Sequence, residues 1–228
     1  MQRRSILALP GGLAAAPAAA QVPEVDTLLV LAVDASGSID ADEFRLQREG
    51  YAEALSHPAV LAAIASRPRG AIAVAMVEWG SPGGAATVVD FHRIADAADA
   101  RRLAEAVLAA PRSPQSWNAI GDALDHCARL LLAAPFRAAE RVIDLSGDGP
   151  DLRSLRPAEV ARDEAVAAGI RINALAVAAA GQVTRFGEPL AETYRREVAG
   201  GPGAFVVTAE DRRDIARALR AKLVREIA

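Results

Sequence analysis

The sequence predicts an α/β fold: a doubly wound, mostly parallel six-stranded sheet with one antiparallel edge strand and helices on both faces. Three observations carry this expectation. Continuous apolar runs bounded by turns recur along the chain, which suits strands covered on both sides. They alternate with amphipathic helical stretches, the pattern of a parallel sheet wrapped by helices. One strand pair, AIAVAMVEW and TVVDFHRI, is joined only by the turn SPGGAA, too short for a parallel crossover.

In chain order, Thr27–Asp34 reads as a buried strand. A helix follows from Asp40 to about Ser56, opened by Asp40 and by Glu43 three residues later, the spacing of a capping box. His57-Pro58 interrupts it, and AVLAAIAS continues as a second short helix. Ala71–Trp79 is the second strand and Thr87–Ile94 the antiparallel edge strand. Asp96–Ala110 is an amphipathic helix, PRSPQSW (Pro111–Trp117) a polar loop and Asn118–Ala134 the next helix. Arg141–Gly149 is a strand running into a Gly-flanked turn, Pro157–Ala168 a helix and Ile170–Val177 a strand. Leu190–Ala199 is helical, Ala204–Thr208 a short strand and Glu210–Ile227 the last helix. With neither internal repeat nor linker, residues 25–228 read as one domain.

Composition narrows the function. The chain has 228 residues, 52% of them hydrophobic, enough for a full core. Its formal charge of −3 and scattered arginines give no stripe for a nucleic-acid backbone. The single cysteine, Cys127, rules out an internal disulfide framework, and its helical setting makes it a small buried apolar residue. Residues 1–20 read as a cleaved signal peptide: a basic start at Arg3-Arg4, a short apolar stretch and Ala18-Ala19-Ala20 before Gln21. That stretch is too short and too broken by Gly and Pro to span a bilayer, so the expected location is periplasmic or secreted.

In open α/β sheets ligands gather at the carboxyl ends of the strands. Asp34, Ser36 and Ser38 of VDASGS follow the first strand, Glu78 and Trp79 end the second, and Asp148 follows RVIDLSG. Asp40 already supplies the helix cap, which leaves Asp34, Ser36 and Ser38 without that task. An EF-hand loop starting at Asp34 needs Gly and Glu where Ile39 and Arg45 stand. A Walker loop and a G-x-S-x-G elbow are both absent. His57, His92 and His126 share no metal-ligand spacing. For Glu78 and Trp79 the plainer reading is a strand end with Trp79 packed on the rim and Glu78 solvated. The sharper one makes them a partner-binding rim beside the site.

DASGS after a buried strand, Asp148 after another and the helix start NAIGDAL together resemble the von Willebrand factor A-type (integrin inserted-domain-like) domain and its metal-ion-dependent adhesion site. The likeness runs from Val25 to Ala228. The Asp148 turn and the carboxy-terminal GGPGAFVV…KLVREI look most similar to a bacterial group of exported A-type proteins of unassigned function. The resemblance implies that Ser36 and Ser38 give hydroxyl oxygens to Mg²⁺, or to Mn²⁺ or Ca²⁺, with Asp34 and Asp148 acting directly or through water. The family's Thr on the third loop is replaced here by Asn118, whose amide oxygen is also a hard ligand; Ser116 is the alternative.

The function so implied is an exported, non-enzymatic, cation-dependent protein-binding module whose metal completes its shell with an acidic residue of a partner. Two other functions compete. One is a metal-free A-type scaffold. The other is a hydrolase using Ser36, Ser146 or metal-bound water, which needs a base near the serine.

Overall fold

The computed structural model describes residues 22–185, 187–210 and 215–228; the expected signal peptide and residues 211–214 of the expected last helix lie outside them. Thirteen elements run β1 (Glu24–Asp34), α1 (Ala41–Ser56), α2 (Pro58–Ala65), β2 (Ile72–Trp79), β3 (Ala86–Ile94), α3 (Ala97–Ala109), α4 (Ile120–Leu132), β4 (Arg137–Gly147), α5 (Ala158–Ala167), β5 (Ile170–Val177), α6 (Leu190–Glu197), β6 (Val206–Ala209) and α7 (Ile215–Ile227).

The strands form one sheet in the order β3-β2-β1-β4-β5-β6. All neighbours are parallel except β2 and β3, as the six-residue turn requires. The order reverses between β1 and β4, so the crevice at their carboxyl ends is the topological switch point.

Strand β1 shows why the sheet is covered on both sides. Leu28, Val30 and Ala32 enter a core with α4, α5 and α6, while Leu29, Leu31 and Val33 enter a second core with α1, α2, α3 and α7. The two-residue period of a strand sends successive side chains to opposite faces, and apolar residues at every position therefore demand helices on both.

Local signals hold at helix starts. Asp40 accepts from Glu43 N and the Glu43 carboxylate accepts from Asp40 N, the complete capping box. Asp96 caps α3 through Ala98 N and Asp99 N. His57 caps α2 through Nδ1.

Two boundaries differ from expectation in ways that matter. Strand β4 begins at Arg137 and stops at Gly147: its polar first residues pair with Glu24–Thr27 of β1, a partnership no apolar run announces, and Asp148 falls just past the strand end. Helix α4 begins at Ile120, not Asn118. Its N-cap, Ala119, has no capping side chain, and the free amides are met from another loop: Ile120 N donates to Asp151 Oδ1 and Gly121 N to Ser154 Oγ. Asn118 is thereby left in the loop, outside the helix.

Candidate metal centre

Asp34 ends β1 and is only 1% exposed. Its Oδ1 accepts from Ser36 N at 2.8 Å, and its Oδ2 accepts from Asp148 N at 3.4 Å. Ser36 Oγ and Ser38 Oγ are hydrogen-bonded at 3.0 Å, and Ser38 Oγ donates to Asp148 Oδ2 at 3.1 Å. The four side chains singled out in the sequence thus converge on the β1/β4 crevice.

The donor set comprises two carboxylates and two hydroxyls, all hard oxygen atoms of the kind Mg²⁺ and Ca²⁺ prefer. Among the described residues no group of three or more His, Cys, Asp or Glu comes together; this centre differs in kind, because half of its donors are neutral hydroxyls. Burial, and then the neighbouring Asp148 charge, push the Asp34 carboxyl up to about 7. Two facing acids suit a site for a cation, and among the described residues no basic side chain is hydrogen-bonded to either Asp34 oxygen. The residues present therefore fit a divalent ion.

The third loop flanks the centre without joining it. Gly37 N donates to Ser116 O at 3.3 Å, and a Cβ at Gly37 would lie 3.2 Å from that oxygen, so glycine permits the loops to touch. The Ser116 hydroxyl is bonded to Ser81 Oγ at 3.2 Å. Asn118 packs its amide against Gly149, beside Asp148: a Cβ at Gly149 would collide with Asn118 Nδ2. Both Ser116 and Asn118 border the crevice, and neither side chain bonds a residue of the DASGS–Asp148 cluster.

Glu78 and Trp79 correct an expectation. Neither is on the rim and Glu78 is not solvated: both are 0% exposed and no partner can reach them. Glu78 Oε1 accepts from Arg48 Nη2 and Oε2 from Ser113 N, each at 2.5 Å. Trp79 lies in the α4–α6 core against Gly147, where a Cβ would stand 2.9 Å from the indole. The loop 112–118 folds over the end of β2, where Ser113 N bonds Glu78 and Trp117 O approaches Gly80.

That loop also supplies a residue the sequence reading missed. Arg112 Nη2 donates to three backbone carbonyls of the DASGS turn, those of Ala35 and Ser36 at 3.1 Å and of Ile39 at 2.8 Å. Its guanidinium lies over the Phe44 ring at 4.9 Å from the centroid, and that of Arg48 lies over the same ring at 5.1 Å. Only the Pro-bearing polarity of PRSPQSW marked the segment as unusual, and nothing local points Arg112 at a turn more than seventy residues earlier.

Among the described residues no histidine bonds Ser36 or Ser146. Ser146 Oγ accepts from Tyr51 Oη at 2.9 Å. The histidine side chains bond elsewhere: His57 to Ala59 N, His92 to Asp90 O and His126 to Thr87 Oγ1.

A family model described as a protein of unknown function (DUF1194) matches residues 24–228. The chain belongs to the DUF1194 family. No curated protein matches it. Among solved structures, this DUF1194 chain is similar to proximal thread matrix protein 1 from the mussel byssus, at 19% identity over 90% of this chain and 47% of that one, with a TM-score of 0.62. The same figures hold for that protein with a zinc-occupied MIDAS motif. A von Willebrand factor type A protein from Catenulispora acidiphila gives 21% identity, 88% and 42% coverage and a TM-score of 0.61. The pilus adhesin SpaC from Lactobacillus rhamnosus GG gives 14%, 89% and 30%, and 0.64. The chain spans less than half the length of each. These likenesses establish that the DUF1194 chain has the von Willebrand factor A-type fold, as the resemblance implied. Among the described residues no helix is long and apolar enough to cross a membrane.

Proposed function

We propose that this protein is an exported, non-enzymatic binding module in which Asp34, Ser36, Ser38 and Asp148 hold a divalent cation, with Asn118 as the candidate third-loop ligand and Ser116 as its alternative. The observation that carries this reading is the convergence of two acids and two hydroxyls from loops more than a hundred residues apart, centred on a buried carboxyl that no basic side chain among the described residues hydrogen-bonds. The zinc-occupied motif of the byssus protein and the adhesin among the structural neighbours support it. The signal-peptide-like pattern of residues 1–20, a basic start followed by a short apolar stretch and Ala18-Ala19-Ala20, supports action outside the cytoplasm.

Bound there, Mg²⁺ would supply an electrophile able to accept a carboxylate from a protein partner. The chain's own residues orient the donors. Arg112 cinches the DASGS turn, Asp148 N fixes Asp34 Oδ2, and the Glu78–Ser113 bond holds the third loop in place.

Titration calorimetry with Mg²⁺ and Mn²⁺ tests this. The wild type should bind with an affinity that Asp34→Ala plus Asp148→Ala abolishes while the circular dichroism stays that of a folded protein. Equal heats from both proteins would overturn the site assignment. The metal-free scaffold is favoured by one observation, that the hydroxyls of Ser36 and Ser38 are already tied to each other and to Asp148; it requires that the wild type show no heat with either ion.

A further inference from the structure

Next to the candidate metal centre, two neighbouring loops carry three exposed side chains. Trp117, between Ser116 and Asn118, is 48% exposed, and Leu155 is 74% exposed. Arg153 is exposed and lays its guanidinium 4.8 Å over the Trp117 ring. Among the described residues that guanidinium pairs with no carboxylate. The nearby arginines are committed: Arg156 to Asp125 and Glu164, and Arg112 to the DASGS carbonyls.

The backbone at Arg153 is also unusual. Its φ of 73° makes it the one non-glycine residue with positive φ among the described residues, a conformation disfavoured for a side-chain-bearing residue. Both neighbours impose it. Leu152 N donates to Asn118 O at 2.6 Å, Ser154 Oγ accepts from Gly121 N at 2.9 Å, and Leu155 N donates to Asp122 Oδ2 at 3.1 Å. Glycine would suit the turn better, yet the position carries an arginine raised beside the metal centre. Strain that a fold retains at such a place points to recognition.

We propose that Arg153, stacked on Trp117, is a second recognition point for the partner. This rests on the cation-dependent reading of the site. The partner is an acidic segment of a protein: one of its carboxylates completes the metal shell, a second pairs with Arg153, and an apolar side chain between them lies on Trp117 and Leu155. Charge complementarity argues for this occupant. A bound divalent cation would offset the Asp34 and Asp148 carboxylates, and the Arg153 guanidinium, which pairs with no carboxylate among the described residues, then leaves a positive point beside the site on a protein of net charge −3. A guanidinium stacked by its face keeps its in-plane N–H groups for bidentate carboxylate binding.

The test pans a library of random peptides carrying one fixed Asp against the full chain in Mg²⁺ and in EDTA. Peptides enriched only in Mg²⁺ should carry a second acidic residue. Arg153→Gly, which suits the backbone and should leave Tm unchanged or higher, should weaken those peptides about five- to tenfold. Changing the second acid to its amide should weaken them equally, with no further loss when both changes are combined. Mg²⁺-dependent enrichment without a second acid, or equal affinity for wild type and Arg153→Gly, would overturn the Arg153 assignment and leave the cation reading standing. Identical selections in Mg²⁺ and EDTA would overturn both. A lower Tm in Arg153→Gly would show that the guanidinium holds the loop, and would overturn the proposal too.

Discussion

Removing the Glu78 side chain, as in Glu78→Ala, should destabilise this protein more than any exposed substitution near the candidate metal centre. Arg48 and Glu78 face each other with side chains 4% and 0% exposed, so the change strands a guanidinium inside the α1–α3 layer. Arg48 would keep its bond to Val107 O at 3.0 Å and its contact with Phe44, but no anion. Ser113 N would lose its acceptor as well. Breaking a buried pair from one side costs about 3–5 kcal/mol, a large share of the roughly 5–15 kcal/mol that holds a domain together. With a urea slope of roughly 2 kcal/mol per molar, the unfolding midpoint should fall by about 1.5–2.5 M. Replacing both partners by apolar residues, Arg48→Met with Glu78→Leu, should cost less than Glu78→Ala alone, since the cost lies in the unpaired charge rather than in losing the pair. A midpoint shift below about 0.5 M for Glu78→Ala, or a double variant less stable than the single one, would refute this reasoning.

Two further outcomes can be checked with the same unfolding assays. Gly147→Ala should cost about 1–3 kcal/mol through overpacking, because its Cβ would lie 2.5 Å from Tyr194 Oη and 2.9 Å from the Trp79 ring; Tyr194→Phe should recover part of that loss, and strict additivity of the two changes would contradict the contact. Stability should also fall as pH rises from about 4.5 to about 8. Burial and then the Asp144 charge push the Glu226 carboxyl up to about 8, because two acids share the one ammonium of Lys222. The native state thus keeps a proton on Glu226 that the unfolded chain has released. This group's share of the slope is at most about 1.4 kcal/mol per pH unit, with Asp34, pushed up to about 7, adding its own share at lower pH. Glu226→Gln retains an acceptor for Asn173 and Lys222 and should flatten that slope, so parallel pH curves for the two proteins would sink the assignment.

Much of this architecture is written locally. The apolar runs, the six-residue link between β2 and β3 and the Asp40–Glu43 box are short-range patterns whose meaning does not depend on distant residues, and each appears where the pattern placed it. The early start of β4 escaped because Arg137–Glu140 has no apolar period; its order comes from pairing with β1, more than a hundred residues away. The late start of α4 escaped because its capping groups, Asp151 and Ser154, lie some thirty residues downstream.

The same division runs through the candidate metal centre. By itself the sequence determined a turn with Asp34, Ser36 and Ser38 at the carboxyl end of a buried strand, and an acid, Asp148, at the end of another, because strand periodicity and chain order fix which end of the sheet a residue occupies. The tertiary structure alone decided what surrounds them. It buried Glu78 and Trp79, which the strand pattern left at a strand end on the rim: Glu78 pairs with Arg48 and Ser113 N, and Trp79 packs into the α4–α6 core against Gly147. It brought Arg112 to the DASGS turn and raised Arg153 onto Trp117. The physical reason is that side-chain pairing between loops depends on where the folded sheet brings their ends together, and sequence spacing carries no record of that distance.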